Sequence, residues 1–287
     1  ITLSDGTNGG LAANYSISAG QTTTANITAK TLTATASASN KVYDGNDTAT
    51  TTLTLSGLIG SETLDTTNHS STFNNKNVGS NKAVTVNSIT LQDGSGDADN
   101  YSISAGQTTT ANITAKTLTA TASASNKVYD GNNTSTTTLT LSGLIGSETL
   151  DTTNHSSTFI NKNVGSNKTV TVNSITLQDG SGDADNYSIS AGQTTTANIT
   201  PKALTATASA SNKVYDGNDT ATTTITLTLS DLIGSETLTN TNLSTFDNKN
   251  VGSNKTVTVN SITLSDGTNG GLAANYSISP GQTTTAN

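Results

Sequence analysis

The sequence predicts an all-β chain: a tandem array of small antiparallel β modules, each an immunoglobulin-like sandwich or a β-grasp-like sheet, arranged as an elongated rod. Three observations predict it. A block of 86 residues recurs along the chain. Apolar residues inside the block alternate with period two, and no segment has the period of an amphipathic helix.

The repeat is read first from Tyr43, Tyr129 and Tyr215, each inside Lys-Val-Tyr-Asp-Gly and 86 residues apart. Lys30, Lys116 and Lys202 open the matching blocks. This sets residues 1–29 as the C-terminal tail of a preceding repeat, 30–115 and 116–201 as two full repeats, and 202–287 as a third that stops about three residues short. The first two differ only at Asp47/Asn133, Ala49/Ser135, Asn74/Ile160, Ala83/Thr169 and Ala115/Pro201. The third carries small insertions in Thr-Ile-Thr-Leu-Thr-Leu-Ser (224–230) and in Asp-Gly-Thr-Asn-Gly-Gly-Leu-Ala-Ala-Asn-Tyr. Neighbours this alike are not specialised relative to one another, so their value lies in number. A solenoid rung runs about 20–30 residues, and a block of this length suits a bead with its own core.

Within the first repeat, Leu32, Ala34, Ala36 and Ala38 alternate with Thr31, Thr33, Thr35 and Ser37, which predicts a half-buried strand. Asp44-Gly45 marks a turn, and Leu53 and Leu55 share the face of the next strand. Gly57–Leu64 breaks the alternation, as a single helical turn or a wide loop. Phe73 lies in a short strand. Val84 and Val86 have the opposite parity to Ile89 and Leu91, so a β-bulge near Asn87-Ser88 is expected to restore one face. Tyr101 and Ile103, then Ala111 and Ile113, belong to the last strands. The expected core is Leu32, Val42, Tyr43, Leu53, Leu55, Leu58, Ile59, Leu64, Phe73, Val78, Val84, Val86, Ile89, Leu91, Tyr101, Ile103 and Ile113. The junction Thr110–Thr119 has no Gly and no charge run. The last strand of one repeat should therefore pass almost directly into the first of the next, and Pro201 stiffens the second junction.

Composition limits the chemistry. There is no Cys, Met, Trp or Arg, all 12 basic residues are Lys, and the net charge is −8. No disulfide or thiol chemistry is possible, and the acidic balance argues against nucleic acid. No apolar run approaches about 18 residues, so no membrane-inserting helix is expected. The chain holds 62 Thr, 36 Ser and 34 Asn. Thr is a strand former, and the Thr-x-Thr arrays are expected to face solvent rather than ice or polysaccharide.

The segments 199–205 (Ile-Thr-Pro-Lys-Ala-Leu-Thr), 41–50 (Lys-Val-Tyr-Asp-Gly-Asn-Asp-Thr-Ala-Thr), 75–86, 99–104 (Asp-Asn-Tyr-Ser-Ile-Ser) and 108–114 recur in one order, with small variations. That order resembles the YDG-type repeat of large secreted bacterial surface adhesins, including filamentous-haemagglutinin-like exoproteins. The resemblance covers essentially the whole chain. It implies a secreted, cell-surface location and a place in the extended, repetitive part of an adhesin, with export, anchoring and specific binding in other regions. It brings no catalytic residue.

Candidate chemistry is sparse. His69 and His155 occupy equivalent positions where the third repeat has Leu243, so they are expected to be exposed loop residues. Tyr43-Asp44-Gly45 reads as a buried Tyr followed by a turn. Asp93, Ser95, Asp97 and Asp99, with Asp179, Ser181, Asp183 and Asp185, alternate like calcium ligands. No glutamate follows at the twelfth position and the third repeat lacks the pattern, so a Gly/Asp turn is the expectation and these six aspartates are weak calcium candidates. Sequons such as Asn14-Tyr-Ser and Asn46-Asp-Thr offer Asn acceptors. No enzyme, no cofactor and no metal are expected. The predicted role is a stalk or spacer that projects a distal binding region for adhesion or biofilm formation. Its rival is a set of multivalent glycan- or matrix-binding modules. Expected partners are neighbouring repeats of the same chain, with host glycans or proteins met through other domains, and the chain is expected to be a monomer.

Overall fold

The computed structural model describes residues 1–221 and 225–287. It is all-β, with 3-10 turns such as Ala98–Asn100 and Ala184–Asn186 and no α-helix among the described residues. Two compact units are distinguished. One comprises Ile1–Lys41 and Asn46–Ile113; the other comprises Val42–Gly45 and Thr114–Asn287.

The second repeat shows how the block folds. Strand Thr119–Ala124 pairs antiparallel with Thr137–Ser142, matching Ala122 to Leu139 and Thr121 to Thr140. Because side chains alternate across a strand, the alanines are half-buried and Thr119, Thr121, Thr138 and Thr140 are exposed, so this Thr-x-Thr face is solvated, while Thr137 is buried on the other face. A second sheet has the order Lys127–Val128, Thr194–Thr200, Gly165–Ile175, His155–Phe159. Val170 and Val172 of its long strand are fully buried. The second repeat is thus built from this four-stranded sheet, the two-stranded ladder and shorter two-stranded pairs, without an α-helix.

The expected bulge is present. In the first repeat Ser70 pairs with Ser88 and Ser71 with Val86, which leaves Asn87 unpaired. Its amide donates to Thr72 Oγ1 at 3.1 Å. The same offset falls at Asn173 and Asn260.

Three expectations are corrected. Not all pairings are antiparallel: Lys127–Val128 runs parallel to Thr194–Thr200, and Lys116–Thr117 parallel to Tyr187–Ser188. These short strands leave the ladder Thr119–Ala124 at either end and join other strands without reversing direction. Val42 and Ile59 are exposed, not core. Val42 points opposite to buried Tyr43, and Ile59 sits at the tip of a turn closed by Glu62 N–H donating to Ile59 O at 3.1 Å. Leu32, Tyr43, Leu53, Phe73, Val84, Val86, Tyr101 and Ile113 are buried as expected, and Leu55, Leu58, Leu64, Val78, Ile89, Leu91 and Ile103 are half-buried. His69 and His155 are not loop residues. Each opens a strand and is half-buried, with Nε2 of His155 at 2.9 Å from Thr137 Oγ1 and Nδ1 facing Thr152 O. In the third repeat the segment is one residue shorter and the register places Asn242, not Leu243, at the histidine's position, since Asn242 pairs with Ile262 as His69 pairs with Ile89; the strand Leu238–Phe246 runs unbroken.

The tail 1–29 forms a single 3-10 turn, Ala12–Asn14, held by Ala12 N–H donating to Asp5 Oδ1 at 2.7 Å. The third repeat repeats the ladder as Thr205–Ala210 with Ile225–Ser230. Its insertion in Thr-Ile-Thr-Leu-Thr-Leu-Ser begins at Thr224, outside the described residues. At the junction, strand Thr194–Thr200 is followed by Pro201 and then by strand Lys202–Ala203, so no linker intervenes.

Candidate functional site at the repeat junction

The aspartate loop serves the backbone. Asp93 accepts from Ala98 N–H at 2.8 Å and Asp97 from Asp99 N–H at 3.0 Å, capping the 3-10 turn. Asp179 and Asp183 do the same for Ala184 and Asp185. Ser95 Oγ accepts from Thr63 N–H at 2.9 Å. In the third repeat the longer loop keeps this first role, with Asp266 accepting from Ala273 N–H at 2.7 Å. Gly180 is required by contact: a Cβ there would lie 2.4 Å from Thr149 O. Among the described residues no three His, Asp or Glu side chains gather as a metal site. The alternating pattern is thus accounted for as turn chemistry.

The side chains that converge are instead those of Tyr-Asp-Gly and of the next repeat. Tyr129 leaves the two-residue strand Lys127–Val128 and is 1% exposed. Its hydroxyl donates to Glu236 Oε1 at 2.7 Å. Tyr276 donates to Glu236 Oε2 at 2.6 Å and accepts from Ile233 N–H at 3.0 Å. Lys162 Nζ approaches Glu236 Oε1 at 3.2 Å and lies 6.0 Å from the centroid of the Tyr129 ring. The two tyrosine rings meet edge to face, 5.4 Å apart at 79°, a favoured aromatic geometry. Asn275, 1% exposed, accepts from Val164 N–H at 2.9 Å and donates to Asn163 at 3.2 Å. One buried carboxylate of the third repeat therefore holds a tyrosine and a lysine of the second.

Asp130 and Gly131 shape the plug. Asp130 Oδ1 binds Lys127 Nζ at 2.7 Å and accepts from Asn132 N–H at 3.1 Å. Gly131 has φ +80, and a Cβ there would stand 2.7 Å from Ile233 Cγ2. The expectation of a buried Tyr followed by a turn thus holds: Tyr129 is buried, in a core shared with the next repeat as well as its own. A single apolar cluster contains Tyr129, Phe159, Val170 and Ile199 of the second repeat together with Leu204 and Tyr276 of the third, with Ile233 and Val164 packed against it.

The geometry recurs within the second unit one step earlier. Tyr43 donates to Glu148 Oε1 at 2.8 Å, and Tyr187 donates to Oε2 at 2.5 Å. The Tyr43 and Tyr187 rings are 5.4 Å apart at 78°. A Cβ on Gly45 would lie 2.7 Å from Ile145 Cγ2.

Burial, and then the bond to Glu236, push Tyr276 up to about 12 and raise Tyr129. Burial acts to raise Glu236 too, but the bonds from Tyr129, Tyr276 and Lys162 outweigh it and hold it below the usual carboxylate value. The signs follow by linkage. The depressed Glu236 stabilises above its unfolded value of about 4.3, and that stabilisation is lost as pH falls through the lower folded value. The raised tyrosines stabilise fully below 10, and this is lost as pH rises from 10 to about 12. The melting midpoint should therefore decline across that alkaline window. Tyr129→Phe should show a shallower decline there than the parent chain; equal slopes would show that Tyr129 does not titrate in this setting.

The glutamates were missed from the sequence, yet a signal existed. Glu62, Glu148 and Glu236 are the only glutamates of the chain, one per repeat, each within Ile-Gly-Ser-Glu-Thr-Leu.

A family model described as the YDG domain matches residues 28–111, 114–197 and 200–286. No curated protein and no solved structure matches the chain.

Proposed function

We propose, for a chain that belongs to the YDG domain family, that its repeats are the stalk or spacer of a secreted bacterial cell-surface adhesin, projecting a distal binding region for adhesion or biofilm formation. One observation carries this reading: the core of the second repeat continues into the third through Tyr129, Leu204 and Tyr276. A junction with a shared core and no linker resists bending, which is what a spacer needs and a flexible string of beads lacks. The near-identity of the repeats supports it, because a spacer gains from copy number alone. The reading assigns the repeats no catalysis and no cofactor.

Small-angle scattering on chains of two, three and four repeats tests it. A strand of about ten residues spans about 33 Å, so each added repeat should lengthen the particle by a constant ~35–45 Å. Length that grows more slowly would mean that repeats fold back, and the spacer reading would fail. Binding of a two-repeat chain on a glycan array would favour the alternative, in which each repeat is an adhesive module with avidity from copy number.

A further inference from the structure

The two end segments of a repeat run side by side in the same direction. In the second repeat Lys116 pairs with Tyr187 and Thr117 with Ser188, both parallel. Eleven residues further along one segment and twelve along the other, Lys127 pairs with Ile199 and Val128 with Thr200, again parallel. Between these two pairings, strand Thr119–Ala124 lies against strand Thr194–Thr200. Further bonds cross from one segment to the other. Leu118 N–H donates to Ser188 O at 2.8 Å, Tyr129 N–H to Thr200 O at 2.9 Å and Asn198 N–H to Asn126 Oδ1 at 2.7 Å. Leu118, Tyr129, Tyr187 and Ile199 are buried, so water does not reach the side chains that flank these bonds.

The pattern belongs to the repeat and not to one copy. In the first repeat Lys30 pairs with Tyr101 and Thr31 with Ser102 in parallel, and Tyr43 N–H donates to Thr114 O at 2.9 Å. In the third, Lys202 pairs with Tyr276 and Ala203 with Ser277, and Lys213 N–H donates to Asn287 O at 2.8 Å. Asn40 and Asn212 accept from Asn112 N–H and Asn287 N–H as Asn126 does from Asn198.

Chain direction decides how these bonds meet a force. The chain enters the second repeat at Lys116, where the paired segments begin, and leaves it at Thr200, where they end. Tension along the chain draws the first segment backward and the second forward. The two must then slide past one another along their length, which loads both pairings together. A pair pulled apart from one end would instead part bond by bond. We propose that each repeat is a tension-bearing element, with the parallel pairings of its end segments acting as a shear clamp. The inference rests on strand register and not on the spacer reading. It goes beyond that reading by adding resistance to pulling, and a failure of repeats to lengthen the particle in scattering would leave it standing.

Single-molecule pulling tests the proposal. The chain has no cysteine, so introduced pairs fix the points of attachment. Lys116→Cys with Thr200→Cys loads the segments in shear. Lys116→Cys with Asp185→Cys places both handles where the segments begin and peels the first pairing open. Thr200 and Asp185 are exposed and Lys116 is half-buried. Forced unfolding is governed by the unfolding rate, so at one loading rate the shear pair should yield at a several-fold higher force than the peeling pair. Pulling the chain by its two ends needs no substitution. Each repeat should then give way in one step, at the force of the shear pair, freeing up to ~300 Å of chain from its 86 residues. Equal forces for the two cysteine pairs overturn the proposal. So do end-to-end traces in which the repeats lengthen at the force of the peeling pair.

Discussion

Tyr129→Ala should uncouple the third repeat from the second. The side chain is almost wholly enclosed, belongs to the cluster that spans the junction, and supplies one of the hydrogen bonds to buried Glu236. Removing a buried aromatic costs about 3–5 kcal/mol. Here the loss also strips a donor from a carboxylate that is 7% exposed, and an unsatisfied buried group costs about 1–3 kcal/mol, more when charged. Tyr129→Phe separates the two terms: the ring stays, and the expected loss is the smaller one. Lys162 remains beside Glu236 in both variants, so the carboxylate keeps a counter-charge and the chain still folds. A denaturation scan should show the parent's second and third repeats unfolding together and the Ala variant splitting into two transitions. Tyr215→Ala, at the exposed equivalent, should leave the scan of the dilute chain unchanged. A Tyr129→Ala scan that superimposes on the parent would remove the tyrosine–glutamate contact as the source of coupling.

The contrast between Tyr129 and Tyr215 also explains what could be read from the residues in order and what could not. The strands were legible because their cause is local: alternation at Thr119–Ala124 and the parity change around Asn87 are properties of a few consecutive residues. The repeat boundaries were read from the recurrence of Lys-Val-Tyr-Asp-Gly, again without knowledge of any contact. The function of Tyr129 was not legible in this way. Its partner, Glu236, lies 107 residues along the chain in another copy of the block. Sequence alone offered a tyrosine beside a turn and a glutamate in a loop, each with an adequate local explanation. For Asp93, Asp97 and Asp99 the sequence already favoured a Gly/Asp turn over calcium, since alternating oxygens suit both a cation and the donors of a 3-10 turn and the third repeat lacks the pattern. The structure resolves them by supplying the backbone donors. The histidines were misjudged because alignment with Leu243 suggested a surface loop, whereas the ring's bonds to Thr137 and Thr152 place it at a strand start.

Gly131→Val should damage the junction more selectively than any change in the core of a single repeat. Two separate penalties fall on one atom group. The backbone at Gly131 is left-handed, with φ +80, a region that costs about 1–3 kcal/mol for a residue with a side chain and more for a β-branched one. The added Cβ would then stand 2.7 Å from Ile233 Cγ2, closer than side-chain carbons approach, so Ile233 or the turn must move. Ile233 is tied to the connector through its N–H, which donates to Tyr276 Oη, and displacing it disturbs the tyrosine that shares Glu236. Gly217, at the same position in the third repeat, has φ +87 and nothing within 4 Å of its Cβ direction. Gly217→Val therefore carries the backbone strain alone. The difference between the two variants isolates the steric term across the junction, since both occupy the same turn in near-identical sequence. Gly131→Val should lower the melting midpoint clearly more than Gly217→Val and should loosen protection of Tyr129 N–H, which donates to Thr200 O at 2.9 Å, in hydrogen exchange. Equal losses at the two positions would mean that Gly131 is kept for its backbone conformation only, and that the third residue of Tyr-Asp-Gly has no part in seating the next repeat.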